Sequence, residues 1–289
     1  GMHLKIEYAS LWEEPDNPRL FPGPLELYFE LYKEFALAMR AAFPAVKLCG
    51  FNGSGPWGDC KPWQFGEPFV KYCRENDLPL DAFSFTSYGR EPGHFAECAV
   101  TAKEMLKKYG YEKAEVFVVE WHMWPKCWMK YYDGEMEGAG NAAFTVCAMI
   151  RMLNCGAVDM AFFYAWAVGR VFSLVTNGPI RVYYALCRYS EMANLQRLAV
   201  DAALPDDVDM LAGMTSDGAV RLLVSAFCAP RANYELKVPG CTHCRIKRIT
   251  DANEDCEAET ELEYNVEKQC FVLDAENGGS AVYALEFTK

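Results

Sequence analysis

The chain has 289 residues, 28 Lys and Arg against 40 Asp and Glu, and a formal net charge of −12. That length can bury a substantial core, in one large or two unequal domains. The acidity argues against nucleic acid or an anionic membrane as the main partner and fits a protein acting on neutral ligands.

Taken in chain order, the first two-thirds alternate strand and helix patterns. Residues 4–11 alternate apolar and polar side chains, as a strand does; 25–43 then carry Leu27, Leu31, Phe35, Leu37 and Met39 at helical spacing. A second strand is predicted at 46–51, followed by the loop Asn52-Gly53-Ser54-Gly55-Pro56, and a helix at 65–76. The third strand, 82–85, runs into Thr86-Ser87-Tyr88, and a helix at 95–109 is closed by Gly110. A β-branched fourth strand at 114–119 stops at Glu120; a helix at 141–154, a strand at 160–166 and a helix at 180–195 complete the series. Repeated strand–helix units predict a parallel sheet with helices outside it, either an open doubly wound sheet or a closed barrel.

From about Val208 the texture changes to short strands at 209–214, 219–227, 234–238, 244–250, 270–273 and 280–287, with Asp217-Gly218 as a hairpin signal. The expected organisation is therefore an α/β domain over residues 1–200 and a β-sandwich-like domain over 201–289.

Thirteen cysteines show no disulfide spacing, and Cys49, Cys73, Cys98, Cys147, Cys155 and Cys187 sit among apolar neighbours. The odd count favours a reducing compartment. No apolar run approaches the roughly 18 residues of a spanning helix and no signal peptide opens the chain, so a cytoplasmic protein is expected.

The seven tryptophans all fall where strands run into the loops before helices: Trp12, Trp57, Trp63, Trp121, Trp124, Trp128 and Trp166. In parallel α/β folds those strand ends share one face, which carries the site. Indole rings gathered there suit stacking on the apolar faces of sugars; aromatic packing under long loops is the plainer alternative. Two of these strand ends also carry glutamate, in Trp12-Glu13-Glu14-Pro15-Asp16 and Val118-Val119-Glu120-Trp121. Two carboxyls facing each other can cleave a glycosidic bond, one giving a proton while the other attacks or activates water.

The run Ile6-Glu7-Tyr8-Ala9-Ser10-Leu11-Trp12-Glu13-Glu14-Pro15-Asp16 resembles the fourth-strand signature of retaining clan-A glycoside hydrolases, family 39 in feel (β-xylosidase and α-L-iduronidase relatives). There the strand ends Trp-Asn-Glu-Pro and its Glu is the acid/base, matching Glu14. Phe83-Ser84-Phe85-Thr86-Ser87-Tyr88-Gly89 resembles the sixth-strand end, and Val118-Val119-Glu120-Trp121 the seventh, whose Glu is the nucleophile and matches Glu120. Phe162-Phe163-Tyr164-Ala165-Trp166 looks like strand eight. The resemblance implies a (β/α)8 TIM-barrel type fold, partial (strands 4–8), with a C-terminal β-sandwich. It implies double displacement with Tyr88 orienting Glu120, and a carbohydrate substrate held by Trp12, Glu13, Thr86, Tyr88, Trp121, His122, Trp124 and Trp166. No metal or organic cofactor is implied.

This chain departs from that pattern in three ways. Glu13 stands for the Asn that hydrogen-bonds the sugar 2-hydroxyl, Thr86 stands for a His, and the chain opens at what the family would call strand four. Three barrel strands would then come from a partner chain or be replaced by self-association. The alternative reading is a carbohydrate-binding or assembly subunit that kept the scaffold and lost its chemistry. Other motifs carry less. Cys241-Thr242-His243-Cys244 lacks a second ligand pair for zinc, with Cys256 and Cys270 unmotivated. Asn52-Gly53-Ser54-Gly55 lacks the Lys of a phosphate loop. The acidic run 251–261 reads as solvated surface.

Overall fold

The computed structural model describes residues 5–54, 66–125, 134–165, 172–176, 178–275 and 279–289. The chain divides into two compact units, Gly1–Trp124 with Met152–Tyr164, and Pro125–Arg151 with Ala165–Lys289.

The first unit is built on β1 (Tyr8–Ser10), α1 (Leu25–Ala42), β2 (Lys47–Ser54), α2 (Gly66–Glu75), β3 (Ala82–Gly89), α3 (His94–Lys108), β4 (Glu115–Met123) and β5 (Met160–Phe163). Every neighbouring pair is parallel, and the sheet order is β1-β2-β3-β4-β5. That order decides between the two architectures left open by the sequence. A doubly wound sheet reverses direction at a switch point and carries helices on both faces. Here the strands follow one another without reversal, so right-handed crossovers put their helices on one side only. The sheet is part of a (β/α)8 barrel.

The helix-covered face is a dense aromatic layer: Tyr28 and Tyr32 of α1, Phe51, Phe69, Phe83, Phe85 and Phe95 are fully buried. Phe51 stacks on Phe83 with ring centroids 6.4 Å apart, and Phe69 meets Tyr32 edge-on at 4.8 Å. At roughly 2–3 kcal/mol for each fully buried large apolar side chain, this layer holds the unit together. The opposite face is thinner. Tyr8, Cys49, Ala82, Phe117 and Val119 make a small cluster there, while Met160 is 36% and Phe162 50% exposed. Parallel strands are normally covered on both faces, so this inner face is incompletely dressed.

Strands β3 and β4 run further than their apolar cores predict. Beyond a bulge between Phe85 and Thr86, Thr86, Ser87, Tyr88 and Gly89 pair with Glu120, Trp121, His122 and Met123. Polar side chains in both segments hide this extension from hydrophobic patterning. Trp166, expected to end the last strand, lies outside the described residues, as do Trp57, Trp63 and Trp128.

The second unit begins with most of α4 (Ala139–Cys155) and continues with α5 (Arg181–Ser190). Helix α5 is shorter than predicted: its capping residue is Glu191, and Asn194 adopts a left-handed φ of 63°. Then come β6 (Gln196–Leu198), β7 (Val208–Met214), β8 (Val220–Ala229), β9 (Ala232–Leu236), β10 (His243–Ile249), β11 (Glu259–Glu261), β12 (Tyr264–Asn265), β13 (Cys270–Ala275) and β14 (Gly279–Thr288). They form a sheet ordered β11-β10-β14-β8-β7-β6 and a second ordered β12-β13-β9. Val224, Ile246, Leu285 and Phe287 of the first share one apolar core with Leu236, Phe271 and Leu273 of the second. Helix α4 packs on β8, where the Ser225 hydroxyl donates to Ala143 O at 2.9 Å and Phe144 meets Phe227 edge-on.

Strands β6, β11 and β12 escape the sequence pattern because each is only two or three residues long and little buried. The acidic run is more than solvated surface. Glu257 pairs with Arg188 and Lys247, and the Asp251 carboxylate accepts from the Ala139 N–H at the start of α4. The described cysteines are free thiols, and Cys241 and Cys244 are buried in the sheet core. Among the described residues, no cluster of His, Cys, Asp and Glu could hold a metal ion, and no helix is long and apolar enough to cross a membrane.

Candidate active site

The segment after β1 is laced onto the end of β2. Glu14 N–H donates to Asn52 O at 2.8 Å, the Asn52 amide donates to Trp12 O at 3.1 Å, and Ser54 N–H donates to the Asp16 carboxylate at 2.8 Å. From below, the buried Tyr28 hydroxyl donates to Leu11 O at 3.3 Å and Phe51 O at 3.0 Å. Trp12, Glu14 and Asn52 all adopt left-handed φ values, of 65°, 44° and 58°. For non-glycine residues that conformation is costly and persists only where surroundings enforce it, typically at functional sites. Three such residues here set the direction of the Glu14 side chain.

The Glu14 carboxylate accepts from the Asn17 amide at 2.7 Å, and the Thr86 side chain supplies a second hydrogen bond. Two residues further along β3, the Tyr88 hydroxyl donates to Oε1 of Glu120. Thr86 and Tyr88 point the same way from one strand, so β3 ties both carboxyls to a common face. Each carboxyl lies above the ordinary range. Burial is the main cause for Glu14, opposed by the Asn17 bond and reinforced by the charges of Asp16 and Glu13. Burial also dominates for Glu120, opposed by the Tyr88 bond and reinforced by Glu14 and Glu13. The Tyr88 phenol is itself pushed well up, by burial and by its bond to Glu120, and so stays a donor. Trp124 and Tyr164 meet the Tyr88 ring edge-on, at centroid distances of 5.6 and 6.4 Å.

A cleft of about 300 Å³ opens beside the pair, lined by Glu13, Glu120, Asn52, Ser84 and Thr86 together with apolar residues that include Phe117 and Phe162. The structure thus gathers Glu13, Glu14, Thr86, Tyr88, Glu120 and Trp124 in one region. It places other predicted residues elsewhere. Trp121 is 1% exposed, packed against Phe95 and Phe163 at 5.2 Å. His122 is also buried, with its ring on Phe163, and burial lowers its pKa to about 4. Trp12 is half exposed, and its indole turns back to Leu20 O and the Phe21 ring. Asp16, Asn17 and Asn52 are the residues that sequence reasoning missed. An Asn three residues beyond Glu14, after a proline, was the available signal for a turn that returns a donor to the carboxyl.

Because both carboxyls titrate high in the folded chain, the unfolded chain releases their protons at lower pH. Their burial penalty is absent below the ordinary carboxyl range and grows as pH rises through the folded values. Glu14→Gln and Glu120→Gln are each expected to raise Tm by about 1–3 °C at pH 8, with the gain vanishing near pH 4. A loss at pH 8, or an equal gain at pH 4, in thermal melts would contradict this electrostatic picture.

Residues 5–120 match the family model described as glycosyl hydrolases family 39, a stretch that contains both glutamates. Among solved structures, a glucosidase from Croceicoccus marinus is 22% identical, with a TM-score of 0.72 over 97% of this chain and 68% of that one. A family 39 β-xylosidase from Caulobacter crescentus is 15% identical, with a TM-score of 0.70 over 97% and 66%. A family 51 arabinofuranosidase from Xanthomonas axonopodis pv. citri is 12% identical, with a TM-score of 0.68 over 98% and 66%. The chain spans about two thirds of the length of these structures. At such identities the likeness establishes the fold, a partial (β/α)8 barrel followed by a sheet-rich region. No curated protein matches the sequence.

Proposed function

We propose, from the premise that residues 5–120 carry the sequence pattern of glycosyl hydrolases family 39, that this protein cleaves glycosidic bonds by double displacement with retention. The observation that carries the reading is the pair Glu14 and Glu120, each hydrogen-bonded from β3 and each held above the ordinary carboxyl range. Tyr88 occupies Oε1 of Glu120, which leaves Oε2 to attack the anomeric carbon. Asn17 occupies Oε2 of Glu14, which leaves Oε1 to carry the proton. Glu14 gives that proton to the leaving oxygen as the glycosyl ester forms on Glu120. The same Glu14 then takes a proton from water, whose oxygen displaces Glu120 and restores the original anomeric configuration. Glu13, Thr86 and Trp124 shape the sugar site. In this reading residues 1–200 supply the barrel-type part and 201–289 a β-sandwich.

Turnover of a panel of aryl glycosides, followed by NMR for anomeric configuration, tests the reading. Hydrolysis with retention is expected. Sugar binding without turnover on any member would favour a carbohydrate-binding protein on the same scaffold.

We infer further that additional β/α units cover the bare inner face. Phe162 and Met160 are exposed on it, and the edges of β1 and β5 are open to pairing within the sheet. The chain alone is expected to bind an apolar dye such as ANS and to self-associate at micromolar concentration. A monomer that binds no dye would sink this part of the proposal.

A further inference from the structure

Among the residues lining the cleft, the groups aimed at a ligand are acceptors far more than donors. Glu13 and Glu120 are carboxylates in the same wall, and the lining includes no Lys, Arg or His. Glu13 is exposed and forms no ion pair with another described residue. Its charge adds to that of the catalytic pair, since it opposes ionisation of both Glu14 and Glu120. Two further polar atoms in this lining await a ligand. Asn52 Oδ1 is buried without a hydrogen-bond partner and can only accept. Ser84 is fully buried, and its hydroxyl has no nitrogen or oxygen partner. A neutral sugar could serve these two atoms with hydroxyls. It would leave the Glu13 charge uncompensated beside two carboxyls that must exchange a proton. A metal ion is not the answer, because the described residues include no geometry of three ligating groups that would hold one.

We propose that the cleft selects glycosides bearing an ammonium group, with Glu13 as its counter-ion. This deepens the glycosidase reading and rests on it. An ammonium ion donates three hydrogen bonds and brings the positive charge that the lining lacks. Held at Glu13, it offsets the field that otherwise resists ionisation of Glu120 before attack. A hydroxyl in the same place donates one hydrogen bond and brings no charge.

The test compares binding of methyl glycosides by calorimetry or ligand NMR at pH 6.5, in the gluco and galacto series. Each series contains the parent sugar, the 2-amino-2-deoxy and 6-amino-6-deoxy analogues, and their N-acetyl forms. One amino analogue is expected to bind at least tenfold tighter than its parent. That ratio should fall to about one in Glu13→Gln and shrink strongly at 0.5 M salt. N-acetylation removes the charge without touching the protein, so it should abolish the preference even if the variant folds poorly. Equal binding of parent and amino sugars overturns this inference while the carbohydrate site stands. Failure of every sugar to bind overturns the site reading and this inference with it.

Discussion

Glu120→Gln should lower turnover of aryl glycosides by at least ~10⁴-fold, which corresponds to about 5 kcal/mol or more of lost transition-state stabilisation. The amide keeps the Tyr88 contact and nearly the same shape, so the fold should be intact and the melting temperature at pH 8 unchanged or higher. What disappears is the oxygen that bonds to the anomeric carbon. A 2-deoxy-2-fluoro glycoside with a good leaving group should add one sugar mass to the peptide bearing Glu120, because fluorine slows the second displacement more than release of the activated leaving group. The Gln variant should carry no such mass. Retained turnover in Glu120→Gln, or a sugar attached to another residue, would remove Glu120 from the nucleophile's role.

Glu14→Gln should fail differently. The loss should reach ~10³-fold for substrates whose leaving oxygen needs a proton, and be slight for the first step with dinitrophenyl glycosides, which leave without help. The second step loses its base in either case, so the glycosyl ester accumulates and a burst appears. Azide, a small anion that needs no deprotonation, should restore turnover and yield a glycosyl azide of retained configuration. An equal loss across all leaving groups, with no rescue by azide, would show that Glu14 supports structure instead of transferring protons. The two variants therefore separate two carboxyls whose environments look alike: both are half-buried and both are raised.

The strand–helix alternation of the first unit could be read from the sequence because parallel strands buried on both faces are short and apolar throughout. Their lengths could not. Thr86, Ser87 and His122 look like loop residues, yet backbone pairing between β3 and β4 carries both strands past them. The burial of Trp121 was legible in principle. Neighbouring residues on a strand point to opposite faces, so if Glu120 turns toward the cleft, Trp121 turns toward the helices, where Phe95 meets it. Gathering all tryptophans by strand end alone overlooked that alternation. The roles of Asp16, Asn17 and Asn52 were not legible. They depend on which backbone groups of β2 come opposite the Glu14 segment, and that follows from tertiary register and left-handed backbone that single-sequence patterns do not encode.

A crystal structure with an unreactive sugar bound would read the distance on which the chemistry depends, the separation of the Glu14 and Glu120 carboxyl groups across the anomeric carbon. Retaining double displacement predicts about 5–5.5 Å, with the sugar ring between them. Carboxyls roughly 9 Å or more apart, or a sugar seated away from both, would contradict it.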